Sequence, residues 1–300
     1  MTLLIGFFRF LTFVNLSTFT KSIISIAVCF LIFPAFLFAG SDGVSPKAYP
    51  IGEFLGLTIT NSMVTGWVIS IILIFLIRFL VGKPTLVPSG GQAVVENLVT
   101  SIKSVVEPIV GKSMIGVTFP LLLALFTFIL IHNWSGLFPG VGSFGWVQGD
   151  ELTYFFRPAN SDLNTPLALS VVSMVAWLYY VLRYAGLKML LYDLFGNKAE
   201  KKEVPTLIFY GLFIIFFGLG IIEIVSIAFR PVSLSFRLYG NVFGGENLLV
   251  SMQNMFAWIL PVPFYVLELL IGFVQALVFT ILVAVYIGLI CNHGDEQHAH

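Results

Sequence analysis

The chain has 300 residues, of which 58% are hydrophobic and only 10% charged, and its formal net charge is +0. Soluble domains carry about 25% charged residues, and a fold of this size has too little interior to hide so much apolar surface from water. Lipid must therefore solvate most of the chain, and nothing in the charge balance suggests a nucleic-acid partner. The two cysteines, Cys29 and Cys291, lie near opposite ends. They suit neither a disulfide framework nor a thiolate metal site, and read as unreactive apolar filler.

At the N-terminus, Arg9 and Lys21 precede an apolar run, Ile23–Ala39, that closes in the small residues of Phe38-Ala-Gly-Ser41. That is the layout of a bacterial signal peptide. The run is long and contains Pro34, so a retained anchor helix is the alternative. Cleavage near residue 40 would leave 41–300 as a single membrane domain with its N-terminus outside the cytoplasm.

A membrane span needs about 20 apolar residues to cross a hydrocarbon core of about 30 Å. The sequence predicts spans at Met63–Gly82, Ile115–Phe138, Pro166–Leu191, Pro205–Phe229 and Ile259–Ile290. A less uniform stretch, Pro231–Ala257, lies between the last two. Between the first two, Gly91–Gly111 alternates apolar Val94, Leu98, Ile102 and Val105 with Glu96, Lys103 and Glu107 at helical spacing. This predicts an amphipathic helix in the cytoplasmic interface. Asp193–Glu203 reads as a solvated cytoplasmic loop, and Pro205 is placed to open the helix after it.

Charge sets the expected orientation. Arg78, Lys83, Lys103, Lys112, Arg183, Lys188, Lys198, Lys201 and Lys202 fall on one side, against Lys47 and Arg157 on the other. The positive-inside rule then places the N-terminus outside and the C-terminus in the cytoplasm.

Ionisable residues inside spans are costly, about 2.5–3.5 kcal/mol each even on the gentler insertion scale. The last apolar regions hold Glu223, Arg230, Arg237, Glu246 and Glu268, with Asn241, Asn247 and Gln275. Buried ion pairs that only lock helices together are one reading; a proton or ion route across the membrane is the better one. On a helix, Ser233, Arg237 and Asn241 share a face. Glu223 lies 14 positions before Arg237, about 21 Å away on nearly that face, and Glu246 nine positions after it, about 13 Å away on the opposite face. Glu268 and Gln275 share a face two turns apart. One arginine between carboxylates aimed toward each membrane surface suits two half-channels separated by a fixed positive charge. Gly240 and Gly244 form a small-xxx-small pair, which serves either a partner helix or packing within this chain.

The run from Arg230 to Glu246, Arg-Pro-Val-Ser-Leu-Ser-Phe-Arg-Leu-Tyr-Gly-Asn-Val-Phe-Gly-Gly-Glu, resembles the signature of F-type ATP synthase subunit a. The closing stretch Leu267–Tyr286 is similar to that family's last helix, and Asn133–Pro139 and Ser161–Pro166 are weaker matches in the right order. The resemblance covers about Thr60 to the C-terminus. It implies an all-α membrane protein of about five transmembrane helices plus the interfacial helix, the last two forming a long tilted hairpin against the rotor ring. It also implies that Arg237 is the essential arginine facing the ring's carboxylates. Asn241, Glu246, Glu268 and Gln275 would then belong to the outer half-channel, Glu223 to the cytoplasmic one, and Asp162 to the outer entrance. Glu268 is histidine in some relatives. The implied partners are the c-ring, peripheral stalk subunit b and membrane lipid, in a bacterial inner membrane. The subunit itself would be non-catalytic, with H⁺ the default coupling ion.

Two rivals make different predictions. An ion-coupled secondary transporter calls for midplane broken helices and an internal repeat, neither apparent in the sequence. A purely structural membrane subunit would tolerate loss of Arg237. No P-loop pattern or metal cluster points to a cofactor, and His293, His298 and His300 read as a disordered tail.

Overall fold

A computed structural model of the chain describes residues 48–297, apart from 55–56, 83, 87, 89, 139–144, 149–150, 155–156, 196–205 and 256–260. The expected signal peptide or anchor, Cys29 and most of the loop expected at Asp193–Glu203 lie outside the described residues. Within them, five helices are long and apolar enough to cross a membrane. Sheet is confined there to two short antiparallel hairpins. The chain is a multi-pass helical membrane protein.

The first hairpin, β1 (Pro50–Phe54) and β2 (Leu57–Thr60), runs directly into α1 (Asn61–Val81). The Thr60 side chain caps that helix by accepting from the Met63 backbone N–H at 3.4 Å. Gly82, at φ 54°, ends it in the left-handed region that glycine tolerates. Helix α2 (Gly91–Val110) buries Ile102, Val106 and Val110, one residue per turn, while Ser101, Lys103 and Ser104 stay exposed. The expected amphipathic helix is thus present, and its apolar stripe docks on another helix of the chain.

Helix α3 (Ile115–Ser135) stops short of the expected Phe138: the Leu137 and Phe138 N–H groups turn back to the Trp134 and Ser135 carbonyls, where Gly136 packs too closely against Pro158 to carry a Cβ. A second hairpin, β3 (Gly145–Gln148) and β4 (Glu151–Tyr154), and a short 3₁₀ turn, Ala159–Ser161, lead into α4 (Asn164–Tyr180). That helix continues as one π turn, Val181–Ala185, up to Gly186 at φ 83°. The span therefore ends before the expected Leu191, and a separate helix, α5 (Leu187–Phe195), follows. The expected loop loses its first residues to α5.

Helix α6 (Thr206–Met255) joins the expected span at Pro205–Phe229 to the stretch Pro231–Ala257 in one helix of 50 residues with Pro231 inside it, the long hairpin helix that the resemblance implies. Proline removes one helical hydrogen bond and breaks helices in water. In lipid an opened backbone finds no replacement partner, so the helix carries on through it. At 1.5 Å per residue α6 is about 75 Å long, far longer than the about 30 Å hydrocarbon core, so it must lie steeply inclined. Helix α7 (Pro261–Gln297) returns antiparallel to it and runs past the expected Ile290.

The core centres on α3 and α7: Leu122, Phe126, Ile129, Phe279, Val283 and Ile287 are all buried. Without a hydrophobic force between helices in lipid, close backbone approach does this work. A Cβ on Gly272 would meet Trp134 and Asn133 of α3, one on Gly288 the Ile109 carbonyl of α2, and one on Gly220 the α5 end at Leu194 and Phe195. These crossings fix α7 and α6 against the rest of the chain, and so fix the charges they carry.

Candidate functional site on the α6–α7 hairpin

Helical periodicity divides α6 into two faces. Leu234, Leu238, Val242, Gly245 and Leu249 are buried within the chain, whereas Ser233, Arg237, Gly240, Asn241 and Gly244 are exposed. A Cβ on Gly240 or Gly244 would meet nothing within 4 Å among the described residues, so this small-residue pair packs against no described helix of this chain. The face around Arg237 is thus open among the described residues. Neither described ion pair involves Arg237.

On one side of Arg237 lies a buried polar cluster drawn from five segments. Glu246 faces Arg157, carboxylate to guanidinium, at 3.8 Å. Arg157 is only 5% exposed, and its backbone N–H donates to Thr65 Oγ1 of α1 at 3.1 Å. Glu268 of α7 lies directly over Gly245, its carboxyl group occupying the space a Cβ would need. Asn241 Nδ2 donates to Gln275 Oε1 at 2.7 Å, and Gln253 Nε2 to Tyr265 Oη at 2.9 Å. Asn160 Nδ2 donates to Asn133 Oδ1 at 2.8 Å, and Asn133 Nδ2 to the Gly272 carbonyl at 3.1 Å.

Asp162 is buried at the edge of this cluster. It accepts from Ser62 Oγ at 3.2 Å and from Asn164 Nδ2 at 3.1 Å, tying the start of α4 to α1. Several buried polar atoms here have no hydrogen-bond partner among the described residues: Asn160 Oδ1, Glu246 Oε2, Gln253 Oε1 and Gln275 Nε2. Such groups are ordinarily satisfied by internal water, so the cluster has the chemistry of a hydrated route rather than of a dry seam.

On the other side, Glu223 accepts from Arg230 Nη2 at 2.5 Å, one pair within α6. The Arg230 guanidinium sits 4.5 Å from the Tyr286 ring centroid and 5.9 Å from that of Trp177, a cation–π seat. Trp177 Nε1 donates to the Tyr286 carbonyl at 2.7 Å, joining α4 to α7 at the same point.

Sequence reasoning did not find Arg157, which enters the charge count only as a loop residue, or the partner of Arg230. It also passed over His132, fully buried in α3 with Nδ1 2.8 Å from the Phe128 carbonyl and Nε2 3.4 Å from that of Gly66. The available signal was polar residues at the end of an apolar run, Ile-His-Asn-Trp (131–134).

Comparison with known proteins identifies the family. The sequence model of the family described as "ATP synthase A chain" matches residues 63–288, which hold Arg237 and every candidate residue around it. ATP synthase subunit a 2 of Bradyrhizobium sp. is 32% identical over 77% of this chain and 89% of its own length. ATP synthase subunit a of Gloeobacter violaceus is 31% identical over 79% and 86%, and that of Moorella thermoacetica 31% over 77% and 90%. With a family match across most of its length and relatives aligned nearly end to end, this chain belongs to the ATP synthase A chain family, that of ATP synthase subunit a.

Proposed function

We propose that this chain is the proton-translocating stator subunit of the ATP synthase membrane sector, and that α6 and α7 offer two half-channels to a rotating ring of c subunits. One observation carries the reading. The chain has three arginines around the hairpin, and two face their own carboxylates, Arg157 with Glu246 and Arg230 with Glu223. Arg237 has no such carboxylate among the described residues, and it stands on an exposed face of small residues. A buried cation in lipid needs a counter-charge, and a bare face beside it lets another helix bring one.

The chemistry follows from charge. A proton travels the outer route past Asp162, Glu268, Glu246, Gln275 and Asn241, and neutralises a ring carboxylate. In neutral form that carboxylate can turn through lipid. When it comes round to Arg237, the opposite charge favours its ionised form, and its proton leaves by the inner route past Glu223. Arg237 stays protonated throughout, so it cannot pass protons straight from one route to the other. The subunit does no bond chemistry of its own. Its partners are the c-ring, peripheral stalk subunit b and lipid; its setting is a bacterial inner membrane, with the N-terminus outside and the C-terminus in the cytoplasm.

A cysteine scan tests the bare face. With cysteines at Ser233 and Gly244, oxidation of membranes holding the assembled complex should cross-link this chain to cysteines on a c-subunit helix. Cross-links confined to other positions on this chain would overturn the assignment of this face to the ring.

A further inference from the structure

Arg157 stands outside the residues of the transmembrane helices, in the segment leading to the 3₁₀ turn, yet it is buried and opposes Glu246. We infer that Arg157 is a positioning residue of the outer route, supplying the fixed charge that keeps Glu246 a relay and prevents it from becoming a trap. The inference rests on the reading that Glu246 lies on the proton path.

Three observations converge on it. The first is burial: both side chains are largely withdrawn from solvent, where a lone charge of either sign is costly and a pair is nearly neutral. The second is distance. At 3.8 Å the groups attract as charges but are too far apart to share a hydrogen bond. Glu246 Oε2, free of any hydrogen bond among the described residues, can therefore still receive a proton. The third is anchorage. The Arg157 backbone is held by Thr65 of α1, and neighbouring Asn160 by Asn133 of α3. The backbone that carries the guanidinium is thus tied to α1, and the turn that follows it to α3.

A proton arriving on this near-neutral pair leaves a net positive charge in apolar surroundings, which favours passing it on. Without Arg157, the same carboxyl group would be most stable holding its proton. Because the attraction is between charges and does not depend on the planar fork of arginine, lysine should serve at 157.

The test uses vesicles bearing the whole ATP synthase and reads ATP-driven proton pumping against the amount of assembled complex. Arg157→Gln should lower pumping about tenfold and Arg157→Lys less than about threefold. In a Glu246→Gln background, adding Arg157→Gln should cost less than about twofold more, because the carboxylate it acts on is gone. Normal pumping by Arg157→Gln, equal loss in Arg157→Gln and Arg157→Lys, or fully additive losses would each overturn the inference. If Arg157→Gln fails to assemble, the neutral double variant Arg157→Gln/Glu246→Gln should recover assembly, since the unpaired buried charge is removed; no recovery would overturn it too. Normal pumping by Glu246→Gln alone would instead remove Glu246 from the path, a separate failure.

Discussion

The two carboxylate–arginine pairs flanking Arg237 are built in opposite ways. Glu223 and Arg230 lie on one helix, touch at 2.5 Å, and leave the Glu223 side chain 46% exposed. Glu246 and Arg157 come from segments far apart in sequence, stand 3.8 Å apart, and are largely buried among groups from several helices. The Glu223–Arg230 pair is a local contact within one helix, with the Glu223 side chain half open to its surroundings, so a mutation there disturbs little packing. The Glu246–Arg157 pair depends on packing between α6 and a segment held by Thr65 of α1, so a mutation there disturbs a site built from several elements. On the proposed function, proton access past Glu246 then depends on the tertiary fold, and access past Glu223 on one helix.

Breaking the element between them should have the largest effect. Arg237→Ala should abolish ATP-driven pumping and ATP synthesis while leaving the complex assembled. Arg237→Lys should fail as well, because lysine lacks the planar fork and loses its proton readily when desolvated. Proton-flux assays on vesicles with assembled variants decide this; near-normal coupled synthesis by Arg237→Ala would refute the proposed function.

Next is the outer side's dependence on packing. Gly245→Val puts side-chain atoms where the Glu268 carboxyl group sits, so it should lower pumping more than about tenfold. Gly244→Ala, facing open space within the chain, separates the two surfaces: it should leave helix packing intact but weaken cross-linking to the ring. Glu268→Gln should slow pumping about tenfold, and Glu268→His, which can still exchange a proton, should be milder. Equal rates in the wild type and both variants would remove Glu268 from the relay.

The smallest effects are expected inside. Glu223→Gln and Arg230→Gln should each lower pumping only about twofold, the scale of a part-exposed ion pair. A tenfold loss in either would erase the distinction between the two sides.

What could be read beforehand follows the same division. The line Glu223, Arg237, Glu246 was legible because helical rise and rotation convert spacing into position, and α6 is one uninterrupted helix. That measure already ran through Pro231, although composition alone divided the region into the span Pro205–Phe229 and the stretch Pro231–Ala257. Gly186 was missed, since the apolar run continues unchanged past it to Leu191. The meeting of Glu268 with Gly245 depends on hairpin register, and that of Arg157 with Glu246 on tertiary packing between segments far apart in the chain. Neither leaves a periodic trace in sequence.

The length of α6 has an electrical consequence. At 50 residues, about 75 Å of helix, it is more than twice as long as an about 30 Å core is thick, so it crosses at an incline. Glu223 and Glu246, about 35 Å apart along the axis, are closer than that in depth along an inclined helix. If hydrated routes reach both levels, the transmembrane voltage falls mainly across that thin section. The field there is steeper than in the surrounding bilayer, and the about 2.3 kcal/mol that each proton gains per 100 mV is delivered beside Arg237.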